Sequence, residues 1–306
     1  MINQNMTRQD WAILLFLSVL WGGSFFFIEI ALGSVQPFTL VLIRVALAAA
    51  MLWLFLLVRR ERLPMPPGAA FAYLLLALLN NVIPFILFVW AQQQITGGLA
   101  SILNATTPIW GVLVAHLLTA DEKAHPHKIV GVLLGFGGVA VMIGPGLLGH
   151  GGAMPQLECL AATLCYALAG VWARRFRTMG VPPVAVATGQ LSAAALVMLP
   201  LVLWFEPPWL ATAPSLDAWL ALAALALFCT SLAYILYFRL LASAGATNSL
   251  LVTFLIPVTA ILLGALFLGE RLDRGDFAGM ALIAAGLAAI DGRLFRRLKP
   301  QSGGKY

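Results

Sequence analysis

Apolar residues come along this chain in runs of about twenty, the length a helix needs to cross the hydrocarbon core of a bilayer. Short clusters of proline, glycine and charge separate the runs: RRERLPMPPG, DEKAHPHK, GPGLLGHGGAMP, EPPWLATAPSLD and GERLDRGD. The pattern predicts helices near 11–32, 37–58, 69–90, 97–118, 127–144, 156–177, 183–204, 216–241, 246–268 and 275–292. That is ten membrane spans, or nine if the glycine-rich fifth run lies otherwise. The expected fold class is therefore an all-α membrane protein.

Two of the runs carry a proline at matching places. LNATTPIWGVLVAHLL (103–118) holds Pro108 and LVTFLIPVTAILLGALFLGE (251–270) holds Pro257, 149 residues later. At that offset Asn104 falls on Thr253; after a slip of one residue Glu122 falls on Glu270, Gly131 on Gly279, Gly138 on Gly286 and Gly144 on Gly292. At an offset of 145, Trp21 lies opposite Tyr166 and Pro37 opposite Pro182. The chain reads as two repeats, 1–148 and 149–306, of five spans each. Five is odd, so the second repeat enters the membrane upside down. Inverted repeats of this kind build many secondary transporters, with the site near the midplane between the halves.

Composition agrees with this reading: 61% of residues are hydrophobic, 10% are charged and mean hydropathy is +0.95. With the N-terminus inside, fifteen of the eighteen Lys and Arg fall on cytoplasmic segments, so both termini are expected in the cytoplasm. That bias also accounts for the net charge of +6, and no basic stripe interleaved with aromatics points to nucleic acid. The polar N-terminus MINQNMTRQD precedes a run too long for a signal-peptide core, so the first helix is expected to be retained. Short loops and few charges suggest a bacterial inner membrane. The cysteines Cys159, Cys165 and Cys229 lie inside apolar runs without metal spacing, and no cofactor or metal is expected.

The whole chain resembles the EamA branch of the drug/metabolite transporter superfamily. The residues that carry the resemblance are LWGGSFFFIEIAL (20–32), TLVLIRVALAAAML (39–52), the two proline-centred helices, and LGERLDRGDFAGMALIAAGLAAI (268–290). The first half departs from the last stretch, since Glu122 lacks the preceding glycine. The resemblance implies export of amino acids, other metabolites or drugs, and fixes no substrate. It also implies a structural role for Arg44, which matches an arginine common in the family's second helix.

Proline gives no N–H to the carbonyl four residues back, and in a membrane that carbonyl must find protein or a watery cavity. The residues four before Pro84, Pro108 and Pro257 are Asn80, Asn104 and Thr253, all polar. Either these kinks face a cavity, where bare carbonyls and amides hold a solute, or the polar side chains cover neighbouring backbone. The kinks also suit hinges. Trp21, Ser24 and Phe25 share one helical face, as do Thr230, Tyr234 and Tyr237; Trp110 and Tyr166 lie at similar depth. With Asn81, these make the candidate substrate-binding set Trp21, Ser24, Asn80, Asn81, Asn104, Trp110, Tyr166, Thr230, Tyr234 and Thr253. Glu29 and Arg44 are placed for an ion pair, and no deep second carboxylate supports a proton relay. The glycines of GVLLGFGGVAVMIG and GMALIAAGLAAIDG permit close helix contact, within one monomer or across a homodimer.

An aromatic lining with a few amides and hydroxyls suits a flat apolar solute with polar ends, such as an aromatic amino acid. No phosphate loop, nucleophile elbow or zinc-protease motif is present, so no enzyme of those kinds is indicated. The expected function is export of small neutral metabolites, best matched by amino acids, through alternating access in the bilayer. A drug or quaternary-cation exporter is the alternative within transport, and a membrane enzyme or passive channel the alternative outside it.

Overall fold

The computed structural model describes residues 7–119, 126–147, 153–207, 213–249, 252–271 and 274–291. Glu122, Lys123, His125, Trp209, Gly292 and the basic C-terminal residues lie outside them. All regular structure among the described residues is helical: α1 (Arg8–Leu32), α2 (Pro37–Val58), α3 (Ala69–Gln92), α4 (Gly97–Leu118), α5 (Pro126–Leu147), α6 (Met154–Thr178) and α7 (Pro183–Phe205) come first. Helix α8 runs from Leu216–Ala226 through a wider turn, Leu227–Leu232, into Ala233–Ser249. Helix α9 spans Val252–Leu263 and a wide turn Gly264–Leu268, and α10 is Arg274–Asp291. Among the described residues seven helices, α1–α4 and α6–α8, are long and apolar enough to cross a membrane, while α5, α9 and α10 carry shorter apolar stretches.

Local chemistry sets the helix starts. Thr7 caps α1 in a reciprocal box: its hydroxyl accepts from Asp10 N–H at 3.2 Å, and its own N–H donates to Asp10 Oδ2 at 2.9 Å. Thr96 and Ser215 cap α4 and α8 in one direction only, their hydroxyls accepting from the N–H of Leu99 and Ala218. Proline stands in the first turn of α2, α6 and α7, where no N–H is needed. Helix α8 runs on to Ser249, past its predicted end at 241 and across the predicted start of the next span at 246.

Helix α1 packs on α8 and α9, as α6 packs on α3 and α4; α2 lies on α7 and α5 on α10. Exchanging the first five helices, in order, for the last five leaves this set of neighbours unchanged. The α5–α10 seam is reciprocal at the atomic level: a Cβ on Gly138 would meet the Gly279 carbonyl at 2.6 Å, and one on Gly286 the Gly131 carbonyl at 2.5 Å. The glycine runs are thus used within one chain. A third close crossing sets Gly22 of α1 against Ile256 and Thr259 of α9. Outside, Leu57, Leu196, Leu220 and Leu266 present bare apolar surface, as lipid requires.

Candidate functional site

The three prolines act differently. In α3 the helix widens to i→i+5 bonding over Leu78–Val82, and Ile83 N–H reaches the Leu78 carbonyl, just before Pro84. Widened turns of this sort recur at functional sites. Helix α8 widens over Leu227–Leu232, and Leu227 lies 149 residues after Leu78, the offset that relates the two prolines. In α4 the helix breaks at Ala105 and Thr106, before Pro108, and the Thr107 hydroxyl donates to the Asn104 carbonyl at 2.8 Å. That carbonyl therefore has a partner within its own helix. Pro257 stays within α9, with Thr253 half-buried a turn before it.

The two widened turns present their polar side chains to each other's half. Asn80 Nδ2 donates to Gln190 Oε1 of α7 at 3.2 Å and to Tyr234 Oη of α8 at 3.1 Å. Asn81 Nδ2 donates to the same Tyr234 oxygen at 3.3 Å, and Asn81 Oδ1 is buried without a partner. On the other side, Arg44 Nε of α2 donates to Thr230 Oγ1 at 3.1 Å, and the guanidinium lies 3.9 Å over the Phe85 ring. Asn81 and Phe85 sit one turn apart on α3, and Thr230 and Tyr234 one turn apart on α8. Arg44 is thus held between the two faces that carry the polar cluster. Thr230 and Ser231 donate in turn to the carbonyls of Leu225 and Ala226, five residues back, satisfying the widened turn itself. Aromatic rings flank the cluster: Tyr166 stacks with Phe88 at 6.1 Å, Tyr234 with Phe238 at 6.2 Å, and Trp21 meets Tyr237 at 5.4 Å.

Of the predicted residues, Asn80, Asn81, Thr230 and Tyr234 converge, with Tyr166 and Trp21 at the rim. Ser24 is buried on α1. Trp110 turns the other way, its ring 4.8 Å from Phe136 of α5 and its Nε1 buried without a partner. The Glu29–Arg44 ion pair is not formed, whereas Arg59 and Glu61 do pair, at 3.6 Å. Glu29 lies instead beside Gln92 (3.4 Å), whose amide is held by the Phe25 carbonyl at 2.9 Å, while Arg44 points to α3 and α8. Arg44 is only 6% exposed, with no carboxylate beside it. A cation–π contact contributes up to about 2 kcal/mol and a charged hydrogen bond about 1.5–3. Stripping an ion of water costs several kcal/mol, so those contacts leave the cation at best barely compensated.

Sequence reasoning missed Gln190, Phe85, Glu206 and a role for Glu270. Gln190 could have been found, because it is the lone amide in an apolar run. Glu206 Oε1 and Oε2 accept from Phe38 and Thr39 N–H at 2.9 and 2.7 Å, at the start of α2. Glu270 accepts from Gly97 and Gly98 N–H at 3.2 and 3.0 Å, at the start of α4. Each carboxylate sits on the positive end of a helix from the other half of the chain. Among the described residues no cluster of side chains is placed to hold a metal ion.

The chain is 27% identical over 278 residues to the uncharacterized inner membrane transporter YedA of Escherichia coli K12, covering 90% of this chain and 88% of that one. It is 27% identical over 283 residues to the uncharacterized transporter YvbV of Bacillus subtilis, covering 91% and 90%. To protein PecM of Dickeya dadantii it is 28% identical over 298 residues, covering 96% of both. A solved structure, described only as that of a protein, superposes with a TM-score of 0.69 at 22% identity over 96% of this chain and all of its own, a likeness of fold. The EamA-like transporter family matches the chain twice, at residues 10–144 and 156–290. With both matches together spanning nearly all of it, the chain belongs to the EamA-like transporter family and is a membrane transporter rather than an enzyme.

Proposed function

We propose that this transporter exports small neutral metabolites, amino acids including aromatic ones, from a bacterial cytoplasm across the inner membrane. Residues 1–148 and 149–306 form two inverted five-helix halves, ten spans in all, with both termini cytoplasmic. The halves rock about the cluster of Asn80, Asn81, Gln190 and Tyr234, opening it to each side in turn. The observation that carries the reading is that every side-chain-to-side-chain hydrogen bond named in this cluster joins one half to the other. A site split between two rigid halves is made and broken by their relative motion, which is what a carrier needs. The reciprocal α5–α10 seam and the widened turns at equal spacing support the inverted arrangement, since contacts related by a twofold axis come in such exchanged pairs. The buried Arg44 counts against a cationic drug as the principal solute.

The test is counterflow in proteoliposomes. Vesicles preloaded with single amino acids are expected to take up labelled phenylalanine or tryptophan with no ion gradient imposed, and only when preloaded with aromatic or large apolar members. Absence of exchange with every amino acid would retire the substrate assignment.

A further inference from the structure

We infer that Arg44 binds a carboxylate of the transported solute, and that solutes of this transporter are acids or zwitterions with an apolar body. The inference rests on the reading of the central cluster as the solute site.

Two related positions differ in charge. Arg44 and Gln190 are each the eighth residue of their helix, α2 and α7, and each bonds a widened turn of the opposite half: Arg44 to Thr230 of α8, Gln190 to Asn80 of α3. The arrangement is the same and the chemistry is not. One end of the cluster carries a fixed cation, the other amides. Neither contact of Arg44, the Thr230 hydroxyl and the Phe85 face, supplies a negative charge. Among the described residues no carboxylate lies within ion-pair distance of it. With Nε held by Thr230, the guanidinium presents its two Nη groups, the fork that matches the two oxygens of a carboxylate. Asn81 Oδ1, in a side chain 0% exposed, is an acceptor without a donor. It lies on α3 one turn from Phe85, the ring beneath the guanidinium. A solute carboxylate on Arg44 therefore leaves an acceptor within the same cluster for an ammonium, while the rings of Tyr166, Phe88 and Trp21, packed in pairs, make an apolar surround for the body. A residue kept only for packing needs no charge there, and a buried charge kept only for structure is ordinarily paired within the protein.

The experiment is thermal stabilisation of the full-length protein in detergent at pH 7 by matched acids and amides: phenylalanine against phenylalaninamide, and phenylacetate against phenylacetamide. The acid of each pair is expected to raise Tm with an apparent affinity about tenfold or more above its amide. Arg44→Gln should equalise the pairs. Arg44→Lys, which keeps the charge and loses the fork, should weaken the acids about tenfold and leave the amides unchanged, and serves if Arg44→Gln does not fold. Equal effects of acid and amide on the wild type, no stabilisation by any of the four, or an acid preference that persists in both variants overturns the assignment. Acid-selective stabilisation without counterflow of any amino acid supports Arg44 as the carboxylate ligand while retiring the amino-acid reading. Counterflow without acid preference keeps that reading and overturns this one.

Discussion

Tyr234 is the residue on which the two halves meet, since its oxygen accepts from both Asn80 and Asn81. Removing it leaves two amide donors short of one acceptor in a buried place, and an unmet buried group costs about 1–3 kcal/mol. Tyr234→Phe is therefore expected to lower counterflow of the preferred solute about tenfold or more, an energy of about 1.4 kcal/mol per decade. The ring stacking on Phe238 persists, so the folded yield should hold. Retention of full exchange by Tyr234→Phe would place the solute elsewhere. Trp110→Phe is the contrasting change: its ring packs on Phe136 away from the cluster and its Nε1 has no partner, so exchange should stay within about twofold of wild type.

Helices here approach one another through small residues, because lipid is as apolar as the core and close backbone contact must supply the attraction. At the α5–α10 seam a Cβ at Gly138 would sit 2.6 Å from the backbone oxygen of Gly279, which cannot turn aside as a side chain can. Gly138→Val is expected to destabilise by about 1–3 kcal/mol. Gly137, one residue away, has nothing within 4 Å of its Cβ position. Gly137→Ala should be neutral or stabilising by up to about 1 kcal/mol, from helix propensity alone. Thermal melts of the purified variants separate the two; equal effects would mean the seam is not where the glycines act.

Across the molecule, Glu206 and Glu270 strap the second half onto the starts of α2 and α4, and the α1–α2 turn adds a Ser34–Ser215 contact at 3.3 Å. Opening that end of the bundle must release these carboxylates from their helix termini. Helix caps contribute about 0.5–2 kcal/mol each. The double variant Glu206→Ala, Glu270→Ala should accordingly exchange amide hydrogens faster at Phe38, Thr39, Gly97 and Gly98, with the interior of α2 unchanged. Unaltered exchange at those four amides would show that the straps do not restrain the end. The charge bias of the loops makes a separate expectation: a fluorescent protein fused to the C-terminus should mature in cells, and alkaline phosphatase fused there should stay inactive.

Helix existence, the membrane setting and the 149-residue spacing were all legible in the sequence, because hydropathy, proline and glycine act locally and repeat regularly. Asn80, Asn81, Thr230 and Tyr234 could be named in advance for a related reason: a polar group in an apolar run must face protein. Which face meets which neighbour was not legible. In an all-apolar helix the lipid side and the core side look alike, so sequence could not tell that Trp110 turns to α5 or that Arg44 leaves Glu29 for Thr230. Gln190 meets Asn80 110 residues away, and the carboxylate of Glu270 meets Gly97 and Gly98 across 173 and 172. Such pairings depend on the packing of every helix between. By itself the sequence determined the helices and their repeat; the tertiary structure alone decided their partners, because partners are set by long-range packing rather than by local preference.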